Sequence, residues 1–139
     1  MYNNSLTKHK TKTMKILIAD NLNIIQKGVN NVIKQLTETN KVDEVSDGNS
    51  ALSKVCSDEY DLAILGDAIP GLSGLEVLQK MKEKKLKTRV LIFSEYPRGE
   101  ISLRAFKMGA SGYLSSYSAA SVLDMAINQI ASGEGYGLC

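Results

Sequence analysis

The chain has 139 residues, 43% of them hydrophobic and 23% charged, with a formal net charge of +2. That length supports one domain with a real core, and the apolar runs are too short to span a bilayer. Cys56 and Cys139 are too few for a disulfide framework or a cysteine metal cluster, and they read as reduced thiols of a cytoplasmic protein.

Residues 1–13, "MYNNSLTKHKTKT", carry Lys8, Lys10 and Lys12 but no acid, and they lack the apolar segment of a secretory signal. They are expected to form a disordered polar arm, in which His9 has no partner and no catalytic role. "KILIA" (15–19) reads as a strand. "NLNIIQKGVNNVIKQL" (21–36) follows as a helix, with Ile24, Ile25, Val29, Val32, Ile33 and Leu36 at helical spacing. "VDEVS" (42–46) is a weaker strand, and Gly48 to Ser57 a short helix bearing Ala51, Leu52 and Val55.

"LAIL" (62–65) is a short apolar run suited to a strand buried on both faces. The pattern then breaks at Gly66, offers an acid at Asp67 and turns through Pro70-Gly71. Leu75 to Lys84 is a helix carrying Val77, Leu78 and Met81, and "RVLIF" (89–93) is the fourth strand. Pro97 suits a helix start because no amide donor is needed there, and Gly109 suits its end near Met108. "GYLS" (112–115) makes a fifth strand, and Ala119 to Ala131 a last helix before Gly133. The basic run "KMKEKKLKTR" (80–89) could touch a nucleic acid or an acidic protein face, but it reads first as a solvated helix end and loop, because Lys near a helix C-terminus suits the helix dipole and no aromatic residues are interleaved with it.

Strands alternating with helices imply a parallel sheet covered on both faces. The expected class is α/β, a flavodoxin-like doubly wound five-stranded sheet in the order 2-1-3-4-5. Ligand sites in such folds lie outside the carboxyl ends of the strands. This sequence puts Asp20-Asn21, Gly66-Asp67, Ser94-Glu95 and Ser115-Ser116 there.

Several segments, in order, resemble the receiver domain of two-component response regulators. "KILIADNLNIIQKGV" is similar to that family's opening strand and acidic turn, and "IPGLSGLEVL" to the loop after its phosphorylated Asp. "RVLIFSEY" resembles the fourth strand with its Thr/Ser, and "RAFKMGASGYL" the turn into strand five. "AINQIASGEGY" looks like the last helix and linker of the NarL/FixJ subfamily, which continues into a helix-turn-helix DNA-binding domain. The resemblance implies a receiver-like domain over 14–135 and a tail, or the start of a linker, over 136–139.

In that family two acids after strand one and the Asp ending strand three bind Mg2+, and this last Asp takes the phosphoryl group. A Thr/Ser and a Lys complete the pocket, and an aromatic residue acts as a switch. By resemblance Asp20 matches the first acid, Asn21 stands at the second, and Gly66 stands at the acceptor. Ser94 matches the hydroxyl, Tyr113 the aromatic, and Ser116 stands where the Lys should be. Glycine supplies no oxygen nucleophile, and phosphoryl transfer also wants its charge neutralised by metal and cation. Asp20 reads equally as a vestigial metal ligand, binding Mg2+ weakly if at all, and as a helix N-cap. Ser94 and Ser116 also suit the satisfaction of loop backbone, and Tyr113 a half-buried ring at a strand edge.

The resulting expectation is a degenerate receiver without catalytic residues or cofactor. It would work as a phosphorylation-independent interaction or dimerisation module, as the regulatory half of a transcription regulator. The alternative is a working phospho-receiver that uses Asp67, although adjacent strand residues point to opposite faces. A flavin-binding protein of the same topology would need a phosphate loop after the first strand, and "ADNLNIIQ" supplies none. Expected partners are a protein or output domain and a second copy paired through the first and last helices, with no direct nucleic-acid or membrane contact.

Overall fold

A computed structural model of the chain describes residues 14–20, 41–94 and 99–115. The arm (1–13), the first helix (21–36) and the last helix (119–131) lie outside the described residues. Within them run β1 (Lys15–Ala19), β2 (Lys41–Val45), α1 (Gly48–Ser57), β3 (Leu62–Gly66), α2 (Gly74–Glu83), β4 (Arg89–Ser94), α3 (Gly99–Lys107) and β5 (Gly112–Ser115). The strands form one parallel sheet in the order β2-β1-β3-β4-β5, as expected.

The period of two along a strand sorts the sheet's side chains onto two faces. Leu17, Ala19, Ala63, Leu65, Val90 and Ile92 join Ala51 and Val55 of α1, Val77, Leu78 and Met81 of α2 and Ala105 of α3 in one core. Ile16, Ile18, Leu62, Ile64 and Leu91 alternate with them onto the other face and are also fully buried. Burial on both faces explains why the central strands read as continuous apolar runs. Each such side chain contributes roughly 1.5–3 kcal/mol relative to exposure.

Two helix starts are stapled by side chains. The Asp47 carboxylate accepts the Ser50 N–H at 2.9 Å, and Ser73 and Glu76 form a reciprocal capping box at 3.2 and 2.8 Å. Two helix ends share one closing pattern. At α3 the Gly109 N–H donates to the Phe106 carbonyl (3.0 Å) and the Ala110 N–H to that of Ala105 (2.9 Å). At α2 the Lys85 N–H donates to Lys82 (3.0 Å) and the Leu86 N–H to Met81 (3.1 Å). The residue at the turn is left-handed in both, Gly109 at φ +98° and Lys85 at φ +59°.

Gly66 does not break β3. It pairs with Phe93 of β4, and the Asp67 N–H extends the ladder to the Phe93 carbonyl at 2.8 Å. Tyr113 is buried rather than half-exposed, because β5 lays it beside Ile92 in the core. β2 starts one residue early, since Lys41 donates to the Met14 carbonyl at 3.1 Å.

Candidate functional site

The carboxyl ends of β1, β3 and β4 bring Asp20, Gly66 and Ser94 to one edge of the sheet. Asp20 continues β1, its N–H donating to the Val45 carbonyl at 3.2 Å, and it is 6% exposed. By strand parity it lies on the Ile16–Ile18 face, and Gly66 lies on the matching Leu62–Ile64 face of the neighbouring strand. A Cβ built on Gly66 would stand 3.1 Å from Asp20 Oδ2 and 3.0 Å from Ile69 Cγ2. The missing side chain of residue 66 is therefore aimed at the Asp20 carboxylate.

Asp67 follows the other parity, that of Ala63 and Leu65, and is half-buried. Its backbone is held from two sides. Its N–H is committed to Phe93, and the first turn of α2 rests directly on the Gly66–Asp67 peptide. A Cβ on Gly74 would fall 2.4 Å from the Gly66 carbonyl oxygen and 3.2 Å from Asp67 Cα, so glycine at 74 is what allows this approach. The sequence reading missed Gly74, although the Ser73–Glu76 spacing of a capping box beside it marks a helix start. Turning Asp67 toward Asp20 would break the ladder bond and displace α2.

Ser94 is 2% exposed at the end of β4 and pairs with Ser115 of β5. Tyr113 lies one strand over, in register with Ile92. Asn21 and Ser116 lie outside the described residues. Among the described residues no three His, Cys, Asp or Glu side chains group as metal ligands. The described donors thus fit Mg2+ poorly: Asp20 faces Gly66, which offers no side-chain oxygen.

The electrostatics of this end are one-sided. Asp20 follows β1, Asp47 caps α1, Asp67 follows β3, and Glu76 and Glu100 stand in the first turns of α2 and α3. No Lys or Arg of the described residues stands at this end.

A five-stranded parallel sheet of order 2-1-3-4-5 with an acid and a hydroxyl at its carboxyl edge defines the flavodoxin-like class. Comparison with known proteins narrows this: residues 16–128 match the response regulator receiver domain family, and the chain belongs to it. It is 34% identical over 119 residues to the nitrate/nitrite response regulator protein NarL of Escherichia coli K12, covering 86% of this chain and 55% of that protein. It is 30% identical over 123 residues to the transcriptional activator protein ExaE of Pseudomonas putida, covering 88% and 58%. The chain thus spans little more than half the length of these relatives. Among solved structures, the signal receiver domain of the putative response regulator NarL from Mycobacterium tuberculosis superposes with a TM-score of 0.81 at 27% identity. That match covers 88% of this chain and 99% of the other. A LuxR-family two-component response regulator from Aurantimonas sp. SI85-9A1 superposes at 0.82 with 26% identity, covering 90% and 89%. Among the described residues no helix is long and apolar enough to cross a membrane.

Proposed function

We propose that this receiver domain is a pseudo-receiver. It does not accept phosphate, and it serves as a phosphorylation-independent interaction or dimerisation module of two-component-type signalling in the cytoplasm. Joined to an output domain, it would be the regulatory half of a DNA-binding transcription regulator. The observation that carries this reading is the direction of residue 66. The position aimed at Asp20 holds glycine, which has no nucleophile, and the neighbouring carboxylate of Asp67 belongs to the opposite face. Asn21 in place of an acid and Ser116 in place of Lys support it, because the metal and the cation that neutralise a transferring phosphoryl group are both weakened. Such a domain needs no enzyme chemistry and no cofactor of its own.

The test is incubation of the full chain with Mg2+ and acetyl phosphate, followed by intact mass. An unchanged mass is expected, and a stoichiometric gain of one phosphoryl group refutes the proposal. Asp67 is the carboxylate adjacent to Gly66 in the chain, so the competing reading is a phospho-receiver that uses it. Under that reading Asp67→Ala abolishes labelling; under ours it changes nothing.

A further inference from the structure

Every Lys and Arg of the described residues lies at one end of the molecule, the amino ends of the strands. Lys15, Lys41 and Arg89 open β1, β2 and β4. Lys54, Lys80, Lys82, Arg104 and Lys107 occupy the last turns of the three helices. Lys84, Lys85 and Lys87 fill the connection from α2 to β4. The opposite end carries the carboxylates named above. The small net charge of +2 conceals this separation.

Part of the arrangement has an ordinary cause, since cations in a last helical turn complement the helix dipole. The segment from Lys80 to Arg89 exceeds that cause. Lys80 and Lys84 repel each other at four-residue spacing, and Lys85 occupies a left-handed turn position that glycine fills at α3. Lys80, Lys82, Lys84, Lys85, Lys87 and Arg89 are all exposed, with Glu83 the one acid among them. The Lys82 ammonium donates to the Lys107 carbonyl at 3.3 Å, which joins the end of α3 to the same face. Carboxylates nearby on the α1–β3 connection are partly spoken for. Asp58 pairs with Lys15, while Asp61, which accepts the Lys15 backbone N–H, and Glu59 keep their charge, two acids against the six cations of the run.

Like-charge repulsion and a strained turn are costs that folding does not require, and both keep cations on one exposed face. We propose that this face, built on Lys80–Arg89 and Lys107, binds the phosphate backbone of duplex nucleic acid without reading sequence. Lysines meet phosphates as point charges, and backbone contact needs no aromatic platform. A protein partner is disfavoured because interfaces between proteins deplete lysine and want a buried apolar or aromatic anchor. The run offers none, its Leu86 being half-buried against the core. The expectation of no nucleic-acid contact rested on the helix dipole, which does not account for the whole run, and on missing aromatics, a criterion for single strands and not for duplexes.

The test is fluorescence anisotropy of a labelled 20-base-pair duplex of arbitrary sequence, titrated with the full chain at several salt concentrations. Binding in the micromolar range at low salt is expected. Neutralising about four phosphates gives a slope of log affinity against log salt near −4. The exposed triple variant Lys80→Glu, Lys84→Glu, Lys87→Glu, checked for fold by circular dichroism, should weaken binding at least ~10-fold and flatten the slope by about three. Replacing Lys8, Lys10 and Lys12 by Ala should leave both nearly unchanged. No binding at low salt, or loss with the arm variant in place of the face variant, overturns the proposal. Equal competition by a polyglutamate peptide or by anionic vesicles overturns it in favour of an acidic protein or a lipid surface.

Discussion

Position 66 can be probed by restoring what the fold omits. An Asp there would bring its carboxylate against that of Asp20 and crowd Ile69 Cγ2, 3.0 Å from the added Cβ. Without metal, Gly66→Asp is expected to cost about 1–3 kcal/mol at neutral pH, from like charge and crowding. Millimolar Mg2+ should recover part of that loss by binding the folded state alone, and should leave the wild type unmoved. Thermal melts of both proteins with and without Mg2+ decide it, and a variant whose melting ignores Mg2+ would show that the two positions do not converge. Tyr60 offers a second handle. Its hydroxyl donates to Asp43 Oδ2 at 2.6 Å, and burial first, then Asp43, push the phenol well above its usual value of 10.0. The folded state therefore holds the proton that the unfolded chain releases near pH 10. The contribution of Tyr60 is complete below that pH and is lost as pH rises above it. Tyr60→Phe should cost about 1–2 kcal/mol at pH 7, the gap to wild type narrowing above pH 10 in urea denaturation.

At the scale of elements, the ends of α2 and α3 make a matched pair. Each closes with the same two backbone hydrogen bonds, yet one turn uses Gly109 and the other Lys85. Side chains pay for the left-handed region, so Lys85→Gly should stabilise the chain by about 0.5–1 kcal/mol. Gly109→Ala should destabilise it by about 1 kcal/mol. The atom nearest an added Cβ there is Lys82 Cδ at 3.9 Å, so the penalty is conformational and not a clash. Chemical denaturation of the two variants checks the opposite signs. The elements themselves were legible in the sequence because apolar periodicity is local: β1, α1 and β5 fall on the expected residues, and the other described elements within a few. What could not be read was the pairing that carries β3 through Gly66, since a hydrogen bond to Phe93 depends on a strand far along the chain.

For the whole molecule, the proposed pseudo-receiver would have no phosphate-linked equilibrium to shift. Its state of association should therefore be the same with and without beryllofluoride and Mg2+. Sedimentation velocity of the full chain checks this, and a beryllofluoride-driven change in mass would sink the pseudo-receiver reading. The surface proposed for pairing, between the first and last helices, lies outside the described residues. The separation of charge is also a property of the whole. The three described helices run antiparallel to the strands and return their last turns to one edge of the sheet, which gathers cations scattered from Lys15 to Lys107.

The sequence by itself determined the alternation of strands and helices, hence a parallel doubly wound sheet, and it set Asn21, Gly66 and Ser116 where the receiver family it resembles carries an acid, an Asp and a Lys. The first is a local property, readable from periodicity and spacing, and the second is what the resemblance implies. Only the tertiary structure decided that residue 66, and not Asp67, faces Asp20. That direction follows from strand parity together with the register of β3 against β1 and β4 and the seat of Gly74 on the Gly66 carbonyl. Only the fold, likewise, turned a basic run and several distant lysines into one charged face, because proximity between elements is set by how the chain crosses the sheet.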